Sequence, residues 1–294
     1  MKFDLTDLKL FIAVVEQKNL TQGAKQVFLA PSSASHRIKL LEDNLGTQLL
    51  ERQPRGVSAT KAGEIVLRYA KRTLATLEQM QSDIAPFTKG ALSQVKLWAN
   101  TNAIHTYLPE DLGTFLENNQ GVRVALEEHT SEEIITAVAQ GEVELGIVAE
   151  NGLYDNVEFY PYKKDRLVII VPSEHSLAKF SKIQFSQAVS FPFVILNEGS
   201  AIHTFMMNKA AGLNCHLNIR AQVKSFDAVC RMVGSGVGIA LLPYDSIGCW
   251  RSLDIKIIEV DEKWSKRNLT LCIKKGAQIG ALSKVLFDHL RGEP

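Results

Sequence analysis

From residue 95 to the C-terminus, short β-branched apolar runs alternate with helical stripes, and no other feature restricts the fold as much. "VKLWAN" (95–100), "VRVALEE" (122–128) and "VELGIV" (143–148) read as strands. Between them Leu108, Leu112, Phe115 and Leu116 make one helix face, and Thr130-Ser131-Glu132-Glu133 is a capping box opening another helix. A second set follows: "RLVIIVP" (166–172), "FVIL" (193–196), "LNIRAQV" (217–223) and "VGIALLP" (237–243), with "LTLCIKK" (269–275) ahead of a terminal helix. This alternation specifies an α/β fold with parallel sheets as the default. Such sheets bind ligands outside the carboxyl ends of their strands, where helix N-termini present free N–H groups. The junctions are "ANTNA" (99–103), "HTSEE" (129–133), "LNEGSAIH" (196–203) and "KSFDAVC" (224–230). Their candidate ligand residues are Thr101, Asn102, Thr130, Ser131, Asn197, Gly199, Ser200, His203 and Phe226. Plain helix capping accounts for Thr130 and Ser225 equally well. The first three junctions carry no Arg or Lys, so a strongly anionic ligand is not implied.

Ahead of residue 92 the pattern is helical. Leu8, Phe11, Ile12 and Val15 form one stripe, and Thr21 offers an N-cap for a short helix holding Ala24, Val27 and Phe28 against the same core. In "PSSASHRIKLLEDNLG" (31–46), Ala34, Ile38, Leu41 and Leu45 repeat at helical spacing. Pro31 suits the first turn and Gly46 the C-terminal cap. The opposite face carries Ser32, Ser33, Ser35, His36 and Lys39. Two short helices joined by a tight turn, the second rich in short polar groups and cations, match helix-turn-helix geometry, in which the second helix enters the major groove. Arg52 and Arg55 flank a Pro-Gly turn that reads as a wing. From His36 to Arg72 there are eight Lys/Arg against four Asp/Glu, an excess suited to phosphate contacts. The candidate DNA-binding residues are therefore Thr21, Ser32, Ser33, Ser35, His36, Lys39, Arg52 and Arg55.

The run Ala24, Ser35, Ile38, Leu41-Glu42, Leu45-Gly46, Leu49-Leu50, Arg52, Thr60 and Ala62-Gly63 resembles the winged helix-turn-helix of the LysR-type transcriptional regulators. The resemblance extends over the whole chain plan. It implies a periplasmic-binding-protein-like effector domain of two subdomains joined by two crossovers, with a small-molecule effector in the cleft. It further implies homodimers through a linker helix, assembled into tetramers, acting on double-stranded promoter DNA, with RNA polymerase as a further candidate partner. The four junctions are similar to the family's effector-contacting positions, notably Asn102, Thr130-Ser131 and Gly199-Ser200. One departure stands out. Where the family often has Ser-Gln, the Gln reading a base, this chain has Ala30-Pro31. Base readout must then fall on Ser32, Ser33, Ser35 or His36.

Between wing and body, Val66, Ala70, Thr73, Leu77, Met80 and Ile84 alternate steps of four and three, a coiled-coil repeat. Val66, Ala70, Thr73, Leu77 and Met80 are the expected dimerisation seam; the alternative is a helix lying on its own domain. Pro86 and Gly90 end it. The expected divisions are residues 1–60 for the DNA-binding domain, 61–91 for the linker helix and hinge, and 92–294 for the effector domain. Within the last, subdomain I takes 92–163 and 267–294, and subdomain II takes 164–266, with crossovers near Tyr162-Lys163 and Arg267-Asn268.

Composition agrees. A chain of 294 residues with 46% hydrophobic content supports two or three domains with sizeable cores. The net charge of +1 hides an asymmetry: residues 1–90 carry 13 Lys/Arg and 9 Asp/Glu, the remainder 20 and 23. The four cysteines (215, 230, 249, 272) form no C-x-x-C pair, which together with the lack of a leader pattern after Met1 fits a reduced cytoplasmic setting. No run reads as a membrane span. The histidines show no metal-ligand spacing, and "GSGVG" (234–238) precedes a strand, so it reads as a tight turn and not a dinucleotide loop. No cofactor, metal or catalytic residue is expected. The sequence points to a ligand-responsive transcription factor and not to an enzyme. Two alternatives stand: a redox-sensing regulator using Cys215 and Cys230, although Cys230 lies on the helix from Phe226 to Val233 and should be buried, or a small-molecule-binding α/β protein with an incidental helical domain.

Overall fold

A computed structural model describes residues 3–53, 56–84, 93–149, 154–198, 200–250 and 253–292. The chain divides into two compact units, the first of residues 1–87 with 140–142 and the second of the remainder.

The first unit begins with helix α1 (Leu5–Gln17), opened by a reciprocal capping box between Asp4 and Asp7. Helix α2 (Leu20–Gln26) is capped by the Asn19 side chain, which accepts from the Gln22 N–H at 3.0 Å. Thr21 is therefore not the cap; it lies inside the first turn, exposed. Helix α3 (Pro31–Leu45) starts on its proline and ends at Gly46 in the left-handed region (φ +68°), as the spacing predicts. Strands β1 (Leu50–Gln53) and β2 (Gly56–Ala59) pair antiparallel as a hairpin. Helix α4 (Lys61–Ile84) follows.

Leu10, Phe11, Val14, Ala24, Ala34, Ile38, Leu41 and Leu49 form this unit's core. Two expectations fail here. Leu45 is exposed, and Phe28 is 96% exposed, because the chain turns left-handed at Phe28 and carries its ring off the core. The linker stripe is also rotated. Val66 and Leu67 pack against the unit's own core and Ala70 is buried, so the first two seam positions follow the own-domain alternative. The apolar side chains left exposed on α4 are Ile65, Tyr69, Met80 and Ile84, with Thr73 exposed among them. Pro86 and Gly90 lie outside the described residues.

The second unit begins with β3 (Ser93–Ala99). A π-helical turn, Ala103–Tyr107, runs into α5 (Leu108–Asn118). Then come β4 (Val122–Glu128), α6 (Ser131–Gln140), β5 (Leu145–Ala149) and the long β6 (Val157–Pro172). Next are β7 (Lys182–Ile183), α7 (Phe185–Ala188), β8 (Pro192–Leu196), α8 (Ala201–Gly212), β9 (Asn218–Val223), α9 (Phe226–Gly234) and β10 (Ala240–Pro243). Strands β11 (Ile255–Val260) and β12 (Lys266–Lys274) and helix α10 (Ala281–Arg291) complete it.

The sheet order is β4-β3-β5-β12-β6-β11-β7, with β10 also on β6, and β8-β9 pair separately. Strand β3 is parallel to β4 and β5, and β8 is parallel to β9, but β12 is antiparallel to β5 and β6, and β10 and β11 are antiparallel to β6. The parallel default thus holds within the helix-linked strand sets and at the short β11–β7 pairing, whereas β6 and β12, which run between the two halves, return in opposite directions. They pair along their length, with Asp165 opposite Arg267 and Arg166 opposite Lys266. Each half has its own core, one around Ile169, Phe193 and Val229, the other around Leu97, Phe115 and Leu271. The tight-turn reading of "GSGVG" agrees with α9 ending at Gly234 and the backbone turning at Gly236 (φ +78°).

Candidate functional site

On α3, the buried face of Ala34, Ile38 and Leu41 fixes which side looks outward. Ser32, Ser33, Ser35, His36 and Lys39 are all exposed, and none has a hydrogen bond or ion pair within the described residues. Their donors and acceptors are available to a partner. Arg37 is not: its guanidinium meets Asp4 at 2.8 Å and Asp7 at 3.1 Å, locking α3 to the start of α1. Lys71 likewise pairs with Glu16 at 3.1 Å. Two of the eight cations in the basic stretch therefore hold the domain together. The side chain of Arg52 and all of Arg55 lie outside the described residues.

The hairpin is held from both sides. Glu42 accepts from the Leu49 and Leu50 N–H groups at 2.8 and 3.1 Å, anchoring the hairpin to α3. Thr60 donates through its hydroxyl to the Gln48 carbonyl at 2.8 Å and accepts from the Gly63 N–H at 3.0 Å. A Cβ at Gly63 would lie 2.1 Å from the Leu49 carbonyl oxygen, so only glycine allows this approach of α4 to the chain before β1.

In the second unit the predicted junctions converge. Ends of β3 and β4 adjoin through the His129 N–H to Ala99 carbonyl bond (3.1 Å), and β3 meets β5 through the Asn100 N–H to Ile147 carbonyl bond (3.1 Å). The ends of β8 and β9 adjoin through the Asn197 N–H, which donates to the Val223 carbonyl at 2.9 Å. The halves then face each other. The His105 ring stands edge-on to Phe226, centroids 6.1 Å apart, and the Tyr107 hydroxyl donates to Asp245 at 2.7 Å. Burial, and then that bond, push the Tyr107 phenol well above its usual range.

Most of the candidate side chains are engaged internally. Thr101 is buried and donates to Glu128 at 2.7 Å. Asn102 is buried, donating to Asp165 at 3.1 Å and accepting from Thr106 at 3.0 Å. Thr130 and Glu133 form the expected capping box, and the Thr130 N–H holds the Glu133 carboxyl below the ordinary carboxylate range. Ser131 accepts from the Ala149 N–H at 3.2 Å. Ser200 caps α8, accepting from the His203 N–H at 3.2 Å and donating to the Asn197 carbonyl at 3.0 Å. Asn197 is exposed, His203 is half-buried, and Phe226 is buried. Gly199 lies outside the described residues.

Sequence reasoning missed the pair beneath this cluster. Asp165 and Arg267, opposite each other on β6 and β12, are both buried and ion-paired, with the Phe205 ring 5.7 Å from the guanidinium. Asp165 Oδ1, Arg267 Nε and Asn100 Nδ2 are buried with no hydrogen-bond partner among the described residues. The one available signal was an acid interrupting "KKDRLVIIV" just ahead of its apolar run.

Residues 5–64 match the family model for the bacterial regulatory helix-turn-helix protein, lysR family, and residues 89–294 match the LysR substrate binding domain. The chain belongs to the LysR family. It is a LysR-type DNA-binding transcriptional regulator with an effector-binding domain. A probable RuBisCO transcriptional regulator of Thalassiosira pseudonana is 27% identical over 268 residues, covering 88% of this chain and 87% of its own. Among solved structures, full-length CbnR complexed with its target DNA aligns with a TM-score of 0.68 at 20% identity, over 99% of each chain. The Synechocystis PCC6803 CcmR regulatory domain in complex with 2-PG aligns with a TM-score of 0.60 at 23% identity, over 68% of this chain and 96% of that one. Among the described residues, no helix is long and apolar enough to cross a membrane, and no group of His, Cys, Asp or Glu could hold a metal ion.

Proposed function

We propose that the chain binds promoter DNA through Ser32, Ser33, Ser35, His36 and Lys39 of α3, with Thr21 and the wing arginines Arg52 and Arg55 on the backbone. The observation that carries this reading is the set of five exposed, internally uncommitted polar side chains on the outward face of a helix-turn-helix helix. CbnR, of the same fold, has been crystallised with its target DNA. Duplexes enriched from a random pool supply the test. Ser33→Ala should change base preference at one position, and Arg55→Ala should weaken all duplexes and reduce the salt slope by about one. An Arg55→Ala slope equal to wild type would count against the wing assignment.

We further propose that a small polar effector binds where the four junctions meet, and that it shifts the population between packings of the two halves. The His105–Phe226 contact supports a shared site, since it joins the helix after β3 to the helix after β9. The orphaned Asn100 Nδ2, Arg267 Nε and Asp165 Oδ1 supply two donors and one acceptor for such a ligand. Among the expected contacts, Asn102, His203 and Phe226 keep this role, with Thr101, Thr130, Ser131 and Asn197 around them. Ser200 is a helix cap first. A thermal-shift screen of metabolites is the test, because a ligand selective for the folded state raises its unfolding midpoint. Loss of that shift in Asn102→Ala, with folding retained, supports the site.

The protein is proposed to act in the cytoplasm, without catalysis, as a homodimer assembling further into tetramers. The exposed face of α4 bearing Ile65, Tyr69, Thr73, Met80 and Ile84 is the better candidate seam than Val66 and Ala70. Met80→Asp should dissociate the dimer by light scattering, since it sets a charge against an apolar partner. The redox alternative is disfavoured on physical grounds. Burial pushes the Cys230 thiol up to about 11, which keeps it protonated and poorly nucleophilic.

A further inference from the structure

Phe28 is the most exposed large apolar side chain described, at 96%, and it lies in the turn between α2 and α3. Its backbone is left-handed (φ +58°), a region that glycine or asparagine enters easily and an aromatic residue does not. The turn is held by the Phe28 N–H to Lys25 carbonyl and the Leu29 N–H to Ala24 carbonyl bonds, at 3.1 and 2.9 Å. Nothing in the domain uses the ring. A fully solvated phenylalanine at a position suited to glycine is unfavourable twice over, which directs attention to what the ring touches outside the domain.

Its position narrows the answer. Phe28 stands three residues before Pro31, the first residue of α3, and Ala30, Pro31, Ser32 and Ser33 are all exposed with it. That end of a recognition helix is the one that meets base edges. Ala30 and Pro31 have no side-chain donor or acceptor, so these two positions can offer a base edge only apolar contact beside Ser32 and Ser33. We propose that Phe28 is a DNA contact, its ring laid on apolar surface of the operator, either thymine methyl groups or deoxyribose C–H faces. This rests on the DNA-reading assignment above and adds a residue outside the polar face of α3. Apolar contact with thymine methyls is an established mode of major-groove discrimination.

The test uses the full-length protein and duplexes that the wild type enriches from a random pool. Phe28→Gly relieves the backbone, so its unfolding midpoint should be unchanged or raised, while affinity for the enriched duplex should fall about tenfold. A residue with a purely structural role would move both in the same direction. Single thymine-to-deoxyuridine replacements then separate the two surfaces. If a methyl is the contact, one replacement weakens wild type and has no further effect on Phe28→Gly. If the deoxyribose face is the contact, Phe28→Gly weakens every duplex and no replacement distinguishes it. Either pattern supports the contact. Wild-type affinity in Phe28→Gly overturns it, as does a lowered midpoint that accounts for the lost binding. A wild type that enriches no duplex removes the DNA-reading assignment and this proposal together.

Discussion

The outward face of α3 (Ser, His and Lys) and the junction cluster of the second unit (Thr, Asn and Ser) are both made largely of short polar side chains, yet they are built in opposite ways. On α3, Ser32, Ser33, Ser35, His36 and Lys39 are exposed and make no internal bonds. In the cluster, Thr101, Asn102, Thr130, Ser131 and Ser200 each hold another part of the fold. A surface that reads a rigid duplex can keep its polar groups in water until binding. A site at the junction of two packed halves keeps its polar groups partly buried, so they must be satisfied by other parts of the fold. Stability should therefore be sensitive to substitutions in the cluster and insensitive to those on α3.

The sharpest challenge to that contrast is Arg267. Replacing it with Leu leaves Asp165 buried without its counter-charge and should destabilise the protein by about 3–5 kcal/mol, read from urea unfolding. Adding Asp165→Leu should recover most of the loss; equal instability in the double variant would mean that the pair's geometry matters more than its charge. Ser200→Ala removes the cap of α8 and should cost about 1 kcal/mol, with the loss visible even where no effector is present. Glu133 gives a smaller, pH-dependent effect. Its folded-state carboxyl is held low by the Thr130 N–H, so its contribution is present above the ordinary value of 4.5 and is lost as pH falls through the lowered one. Glu133→Gln should flatten that acid limb by lowering stability near pH 7 towards the acid-side value, while leaving the acid-side value little changed. At the low end, Ser33→Ala and His36→Ala should stay within about 0.5 kcal/mol of wild type while altering duplex preference. A Ser33→Ala protein markedly less stable than this would erase the distinction between the two surfaces.

How legible each region was follows from the same contrast. Helix α3 can be read from Pro31 to Gly46, because start, stripe and stop are all local signals. The Thr130–Glu133 box and the cores of β3, β4, β5, β8 and β9 are equally local. The first half of β6 was missed because "VEFYPYKKD" includes Pro161 and two lysines, which β12 accommodates only through tertiary pairing. Strand β11, "IKIIEV", was passed over, and the Asp165–Arg267 pair spans a sequence separation that no local pattern reports. Phe28 looked like a core residue by spacing alone; its positive φ decides otherwise. On α4 the heptad steps marked a stripe, but Val66 and Leu67 turn that stripe inward against the unit's own core, leaving Ile65 and Tyr69 outside.

Gly63 has a mechanical consequence. With its Cα against the Leu49 carbonyl, and Thr60 bonded to both Gln48 and Leu49, helix α4 and the β1–β2 hairpin are joined at a close, hydrogen-bonded junction. Were α4 to twist about its long axis, such a junction would carry the hairpin sideways, as a crank turns rotation into travel. A small angle at the joint becomes a displacement proportional to the hairpin's reach. A substitution as slight as Gly63→Ala, whose Cβ would meet the Leu49 carbonyl, would force the two elements apart and loosen that coupling.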